Sequence, residues 1–187
     1  MAEARAVQAR LVDTNVLIVA SAADDGSRFR AEATPVEEAA LRQQVFDWLE
    51  AFEADSTRHA VLDVDWHVCG EYRHKLTEQD YGWLAMMHKI DRNEVVWVGV
   101  ALDADGNAVL EPTLAAAITD LADRKMVAAA LAALAAGHAC LLTNASDTDW
   151  IDCEQALRTA GLEVENLLPD WLQARWRRKH PRIRRAK

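Results

Sequence analysis

The chain has 187 residues, about half of them apolar, and a formal net charge of −9. That length suits one domain with a sizeable core. The short N-terminus, with acidic Glu3 and no basic segment before a long apolar stretch, reads as no signal peptide. The longest Ala-rich run, Met126 to Ala136, is about half of the ~20 residues a bilayer span needs, so the expectation is a soluble cytoplasmic protein with no membrane partner.

Ala9 to Val12 is strand-like, and Asp13-Thr14-Asn15 turns the chain into a helix over Val16 to Val19. Residues 22 to 34 read as a polar loop. A helix is expected from Pro35 to Ala54, capped by Thr34, with Leu41, Val45, Trp48, Leu49 and Phe52 as its apolar stripe. His59 to Val64 reads as a second strand and Trp66 to Leu76 as a helix carrying Glu71. A further helix over Thr77 to Ile90 is expected to start at Thr77, with Asp80 three residues on. Val95 to Leu102 and Asn107 to Leu110, joined by Asp103-Ala104-Asp105-Gly106, predict a hairpin. Leu114 to Leu121 suits a short helix, and Arg124 to Ala136 a buried one stopped by Gly137. Ala139 to Thr143 is a core strand, Asp149 to Ala160 a helix stopped by Gly161, and Leu162 to Leu167 a last strand.

Strands alternating with helices predict an α/β fold with helices on both faces of a mostly parallel sheet of about four or five strands. In such sheets ligands bind beyond the carboxyl ends of the strands. Asp13, Asp63, Asp65 and Asp147 all follow predicted strands. Carboxylates are the oxygen donors that Mg²⁺ and Mn²⁺ prefer. The chain offers Asp13, Glu71, Asp123 and Asp147, with Asp63, Asp65, Asp120 and Asp149 as neighbours, and spacing alone does not choose among them. Cys69, Cys140 and Cys153 stand far apart with no CxxC, which favours neither a disulfide framework nor a zinc site. His67 and His74 near Glu71 do not form a recognised zinc spacing either.

Four blocks make the choice. Leu11-Val12-Asp13-Thr14-Asn15-Val16-Leu17 resembles the opening strand and Asp-Thr/Ser-Asn of PIN-domain nucleases. Gly70-Glu71-Tyr72-Arg73 resembles that family's second acidic position. Asp123-Arg124-Lys125-Met126-Val127-Ala128 resembles the third, an Asp opening an apolar helix. Leu142-Thr143-Asn144-Ala145-Ser146-Asp147-Thr148-Asp149-Trp150 resembles the closing strand and Asp-x-Asp-aromatic. The blocks stand in family order across residues 11 to 150. The resemblance implies a PIN-like three-layer α/β/α domain over residues 1–170 that hydrolyses RNA by metal-activated water. It implies that Asp13, Glu71, Asp123 and Asp147 are the catalytic acids, holding Mg²⁺ or Mn²⁺ with Asp149 as a further ligand. Thr14, Asn15 and Thr143 would support them. Many relatives are toxins paired with an antitoxin, often as homodimers, so those partners are expectations too.

Two rival readings are a non-catalytic PIN-like module that binds RNA or protein, and a haloacid dehalogenase-type phosphatase. In the phosphatase, Asp63 would be the phosphoryl-accepting nucleophile and Asp65 the acid/base, although His67 stands where that family usually has Thr or Val.

The charge is uneven. Arg175 to Lys187 contains eight basic residues and no acid, so residues 1–174 carry −9 − 8 = −17. The basic tail, taken as 171–187, offers Arg175, Arg177, Arg178 and Lys179 to RNA phosphates, with Trp171 and Trp176 available to stack on bases. A solvated terminus, and folding of the tail back onto the acidic body, are the other two expectations.

Overall fold

A parallel sheet needs a crossover between successive strands, and here helices supply it. The computed structural model describes residues 7–24, 26 and 31–181. Strands β1 (Gln8–Val12), β2 (Arg58–Asp63), β3 (Val95–Val98), β4 (Ala139–Asn144) and β5 (Glu163–Asn166) form one sheet in the order β3-β2-β1-β4-β5, parallel throughout. The helices are α1 (Thr14–Ser21), α2 (Ala39–Ala54), α3 (His67–Lys75), α4 (Tyr81–Asp91), α5 (Pro112–Ala117), α6 (Leu121–Ala135), α7 (Asp149–Thr159) and α8 (Pro169–Lys179). The architecture is the expected three-layer α/β/α.

The strand order positions the site. The chain moves outward from β1 to β2 and β3, then returns to the other side of β1 for β4 and β5. The reversal leaves a crevice at the carboxyl ends of β1 and β4, the usual place for a ligand in open α/β sheets. Register aligns Val12 with Thr143, so the segments leaving both strands emerge side by side. Leu11, Val12, Leu142 and Thr143 are fully buried, which fixes this register.

Several boundaries differ from the sequence expectation. The second helix starts at Ala39 rather than Pro35. Thr34 Oγ1 accepts from Val36 N, and the Arg42 guanidinium takes the carbonyls of Val36 and Glu37, which removes them from a first helical turn. Thr77 does not begin a helix. Asp80 caps backward instead, accepting from Thr77 N and Oγ1, and α4 follows it. The predicted hairpin reduces to a single antiparallel bridge, Leu102 to Ala108, around an Asp103-centred turn with Gly106 at φ +81°. Its first half, β3, pairs with β2 in parallel instead. Gly137 and Gly161 terminate α6 and α7 at φ +88° and +85°, as expected.

The tail boundary at residue 171 also shifts. Helix α8 runs through it, buries Leu172 and packs Trp171 against the core. Arg182, Arg184, Arg185 and Lys187 lie outside the described residues. No helix among the described residues is long and apolar enough to cross a membrane.

Helix α1, which Asp13 caps, is held at close quarters by α4. Gly82 N donates to Ser21 Oγ, which donates to Leu17 O. A Cβ on Gly82 would stand 2.5 Å from Leu17 O. Gly82→Ala is therefore expected to destabilise by about 2–3 kcal/mol. Gly70→Ala, in α3 with nothing within 4 Å, should stabilise by about 0.5–1 kcal/mol. Urea midpoints check the pair, and equal effects would refute the close-packing account.

Candidate metal centre

Asp13 is the first residue after β1. Its extended backbone caps α1, with Oδ1 accepting from Asn15 N at 3.1 Å. Its own N donates to Thr143 O at 3.0 Å, tying it to β4. Trp150 Nε1, from α7, donates to Asp13 Oδ2 at 2.6 Å inside the protein. Asp123 stands in the first turn of α6, which is capped by Asp120 through Ala122 N.

Asp147 occupies the turn between β4 and α7. Buried Asn144 builds that turn, accepting from Asp147 N and donating to Asp147 O and Asn166 Oδ1. Asn15 Oδ1 accepts from Ala145 N and Ser146 N, clamping the same turn to α1. Those two bonds orient the amide and leave its buried Nδ2 without a partner among the described residues.

One oxygen each from Asp13, Asp123 and Asp147 lies within 4.8 Å of the others. The nearby cations are engaged elsewhere, Lys125 with Glu71 at 2.7 Å and Lys179 with Asp149 at 3.5 Å. Among the described residues, no Lys or Arg forms an ion pair with the three. Electrostatics reflects this. Burial pushes the Asp13 carboxyl up to about 6, against the hydrogen bonds from Asn15 and Trp150. Asp123 rises to about 8, first through burial and then through the charges of Asp13, Asp147, Asp120 and Asp149. Asp147 is also raised, chiefly by burial, while Lys179 opposes the shift. Crowded carboxylates without a counter-charge are costly. Three hard oxygen donors from three elements match Mg²⁺ or Mn²⁺ in kind, so the residues fit such an ion.

The cluster adjoins a cleft of about 280 Å³ whose lining includes Asp120, Asp123, Asp149, Asp152 and Cys153. A larger depression of about 690 Å³ beside it is mostly apolar, lined by Leu114, Leu131 and Ala156 among others, and gathers no comparable set of ligands.

Not every expected residue joins the centre. Glu71 accepts from Lys125 and contacts His74 instead. Lys125 and Asp123 are two residues apart on α6 and so point to different sides, and Glu71 lies on the Lys125 side. Asp149 is exposed at the start of α7, beside Lys179 and outside the group of three. Thr14 opens α1 without a side-chain bond to the carboxylates. Thr143 contributes its backbone carbonyl, while its Oγ1 donates to Glu165, the partner of Arg10.

Asp63 does not suit a nucleophile. It is buried, and its two oxygens accept from His67 N and Val68 N, which caps α3. Ligand atoms of Asp63, Asp65 and His67 also fall within 4.8 Å of one another, but Asp65 is exposed, His67 is half-buried and Asp63 is committed to the α3 backbone.

Trp150 and Asn144 carry roles the sequence reading did not assign. In the sequence Trp150 is the aromatic of the closing motif, and an indole N–H close after the strand-end turn is the signal for its role. Trp150→Phe keeps the ring and removes the donor to Asp13. It should weaken Mn²⁺ binding by about 10- to 100-fold, as loss of a ligand's outer hydrogen bond does. Calorimetric titration with Mn²⁺ checks this, and unchanged affinity would remove Trp150 from the centre.

Comparison with protein-family models, with characterised proteins and with solved structures gave no match.

Proposed function

We propose that this chain is a metal-dependent ribonuclease of the PIN type, with Asp13, Asp123 and Asp147 holding Mg²⁺ or Mn²⁺. The observation that carries the reading is three crowded carboxylates at the sheet's crevice without a cationic partner among the described residues. When bound, such an ion neutralises charge on a phosphodiester and lowers the pKa of water toward neutrality. The chain's own residues supply position. Trp150 and Asn15 hold the Asp13 carboxylate, Asn144 holds the Asp147 turn, and α6 presents Asp123. Asp149 and Asp152 line the cleft and can accept hydrogen bonds from the attacking water. Glu71 acts from outside, through Lys125 on α6. Under this reading, a toxin would arrest growth on expression and be relieved by an antitoxin protein.

The test is cleavage of labelled single-stranded RNA with Mg²⁺ or Mn²⁺, with chelator, and with Asp13→Asn. Cutting that needs metal and is lost in the variant is the expected result. Cutting that survives Asp13→Asn would place the activity elsewhere. RNA bound but never cut would make the chain a binding module.

A further inference from the structure

Helix α8 sends its basic side chains to different places. The Arg175 guanidinium lies over the Trp171 ring, 5.3 Å from its centroid. Arg177 and Arg178 line a separate depression with Ala174 and Pro181. Lys179 reaches the rim of the carboxylate cleft: its Nζ is 2.5 Å from Thr148 Oγ1 and 3.5 Å from Asp149 Oδ1. Other contacts lock the helix there. Trp176 Nε1 donates to Asp152 Oδ1 at 2.7 Å, the Trp176 ring stacks on His180, and Leu172 is buried.

The geometry points to Lys179 as the residue that seats a phosphate of the RNA strand at the mouth of the carboxylate cleft. The inference rests on the reading of that cleft as a phosphodiesterase site. Its physical basis is charge. Asp120, Asp123, Asp149 and Asp152 line the cleft, and Asp13 and Asp147 stand beside Asp123. One divalent ion cancels only two such charges, so the cleft stays repulsive to a polyanion. A cation at its edge offsets that repulsion where the strand enters.

Lys179 is suited to the task. Its side chain is 48% exposed. The ammonium has more donors than Thr148 and Asp149 occupy. An exposed ion pair at 3.5 Å holds weakly, so Asp149 gives way to a phosphate oxygen without movement of α8. A lysine that only tied α8 to α7 would affect stability and leave RNA affinity and its salt dependence alone.

The experiment measures binding of a short fluorescent single-stranded RNA by anisotropy, in Mn²⁺ and over a series of salt concentrations. It compares the wild type with Lys179→Gln and Lys179→Arg, with melting curves reporting the fold separately. Lys179→Gln should weaken binding about 5- to 20-fold and lower the salt slope by about 0.7, the value for one phosphate contact on a single strand. Lys179→Arg should restore both. Wild-type affinity and slope in Lys179→Gln would overturn the inference, even if the RNA is cut. Lys179-dependent binding with no cutting by the wild type would sink the nuclease reading and leave the phosphate contact standing. A wild type that binds no RNA would overturn both.

Discussion

Asp123→Asn is expected to reduce metal-dependent RNA cleavage by about a thousandfold and to make the metal-free protein more stable at alkaline pH. The two effects share a cause. Burial, and after it the charges of Asp13, Asp147, Asp120 and Asp149, raise the Asp123 carboxyl from 3.8 to about 8. Between about pH 4 and pH 8 the folded protein keeps a proton on Asp123 that the unfolded chain has released. Stability therefore falls as pH rises through that window, and the repulsion is fully present above it.

Asparagine carries no charge, so the variant lacks this loss. Solvent reaches the partly exposed carboxyl and screens the repulsion, so the gain at pH 8.5 should be about 2 kcal/mol. For a chain of this size that is about 4–8 °C in Tm. The difference should shrink steadily as pH falls and vanish only below about pH 4, where the carboxyl is protonated in the folded and the unfolded chain alike. Thermal melts in chelator across that range check it. A variant no more stable than the wild type at pH 8.5 would mean that the three carboxylates do not crowd one another in solution.

Mn²⁺ should have the complementary effect on the wild type. Ligand present at about a hundred times its Kd stabilises by about 2.7 kcal/mol, or about 5–10 °C here. Protons compete for the same oxygens, so the gain should be larger at pH 8 than at pH 5. It should be nearly absent in Asp123→Asn. Glu71→Gln should keep most of it, because the Glu71 carboxylate is committed to Lys125. An unchanged melt in millimolar Mn²⁺ at pH 8 would falsify the metal assignment.

Much of the framework was legible in the sequence because it depends on local chemistry. Alternating apolar strands and helices specify a layered α/β fold, and Gly137 and Gly161 stop helices at positions that need positive φ. Local chemistry put many acids at strand ends and helix starts, and only the resemblance of the four blocks to PIN-domain nucleases singled out Asp13, Asp123 and Asp147 among them. Boundaries that depend on remote partners were not legible. Arg42 takes the carbonyls that would have started α2 early, and the parallel ladder with β2 captures β3 before it can form a hairpin.

The sequence by itself determined the fold class, the order of the elements and three of the acids that meet. Tertiary structure alone decided the rest. Strand order placed β1 beside β4, which brings together residues more than a hundred positions apart. The face of α6 decided that Asp123 enters the centre while Glu71 meets Lys125. The placement of the start of α7 beside the turn that follows β1 made Trp150, a motif aromatic in the sequence, the donor that holds Asp13. The docking of α8 set Lys179, alone of the four basic candidates, at the rim of the cleft. Each is a question of which side chains face one another across elements, and local periodicity carries no information about that.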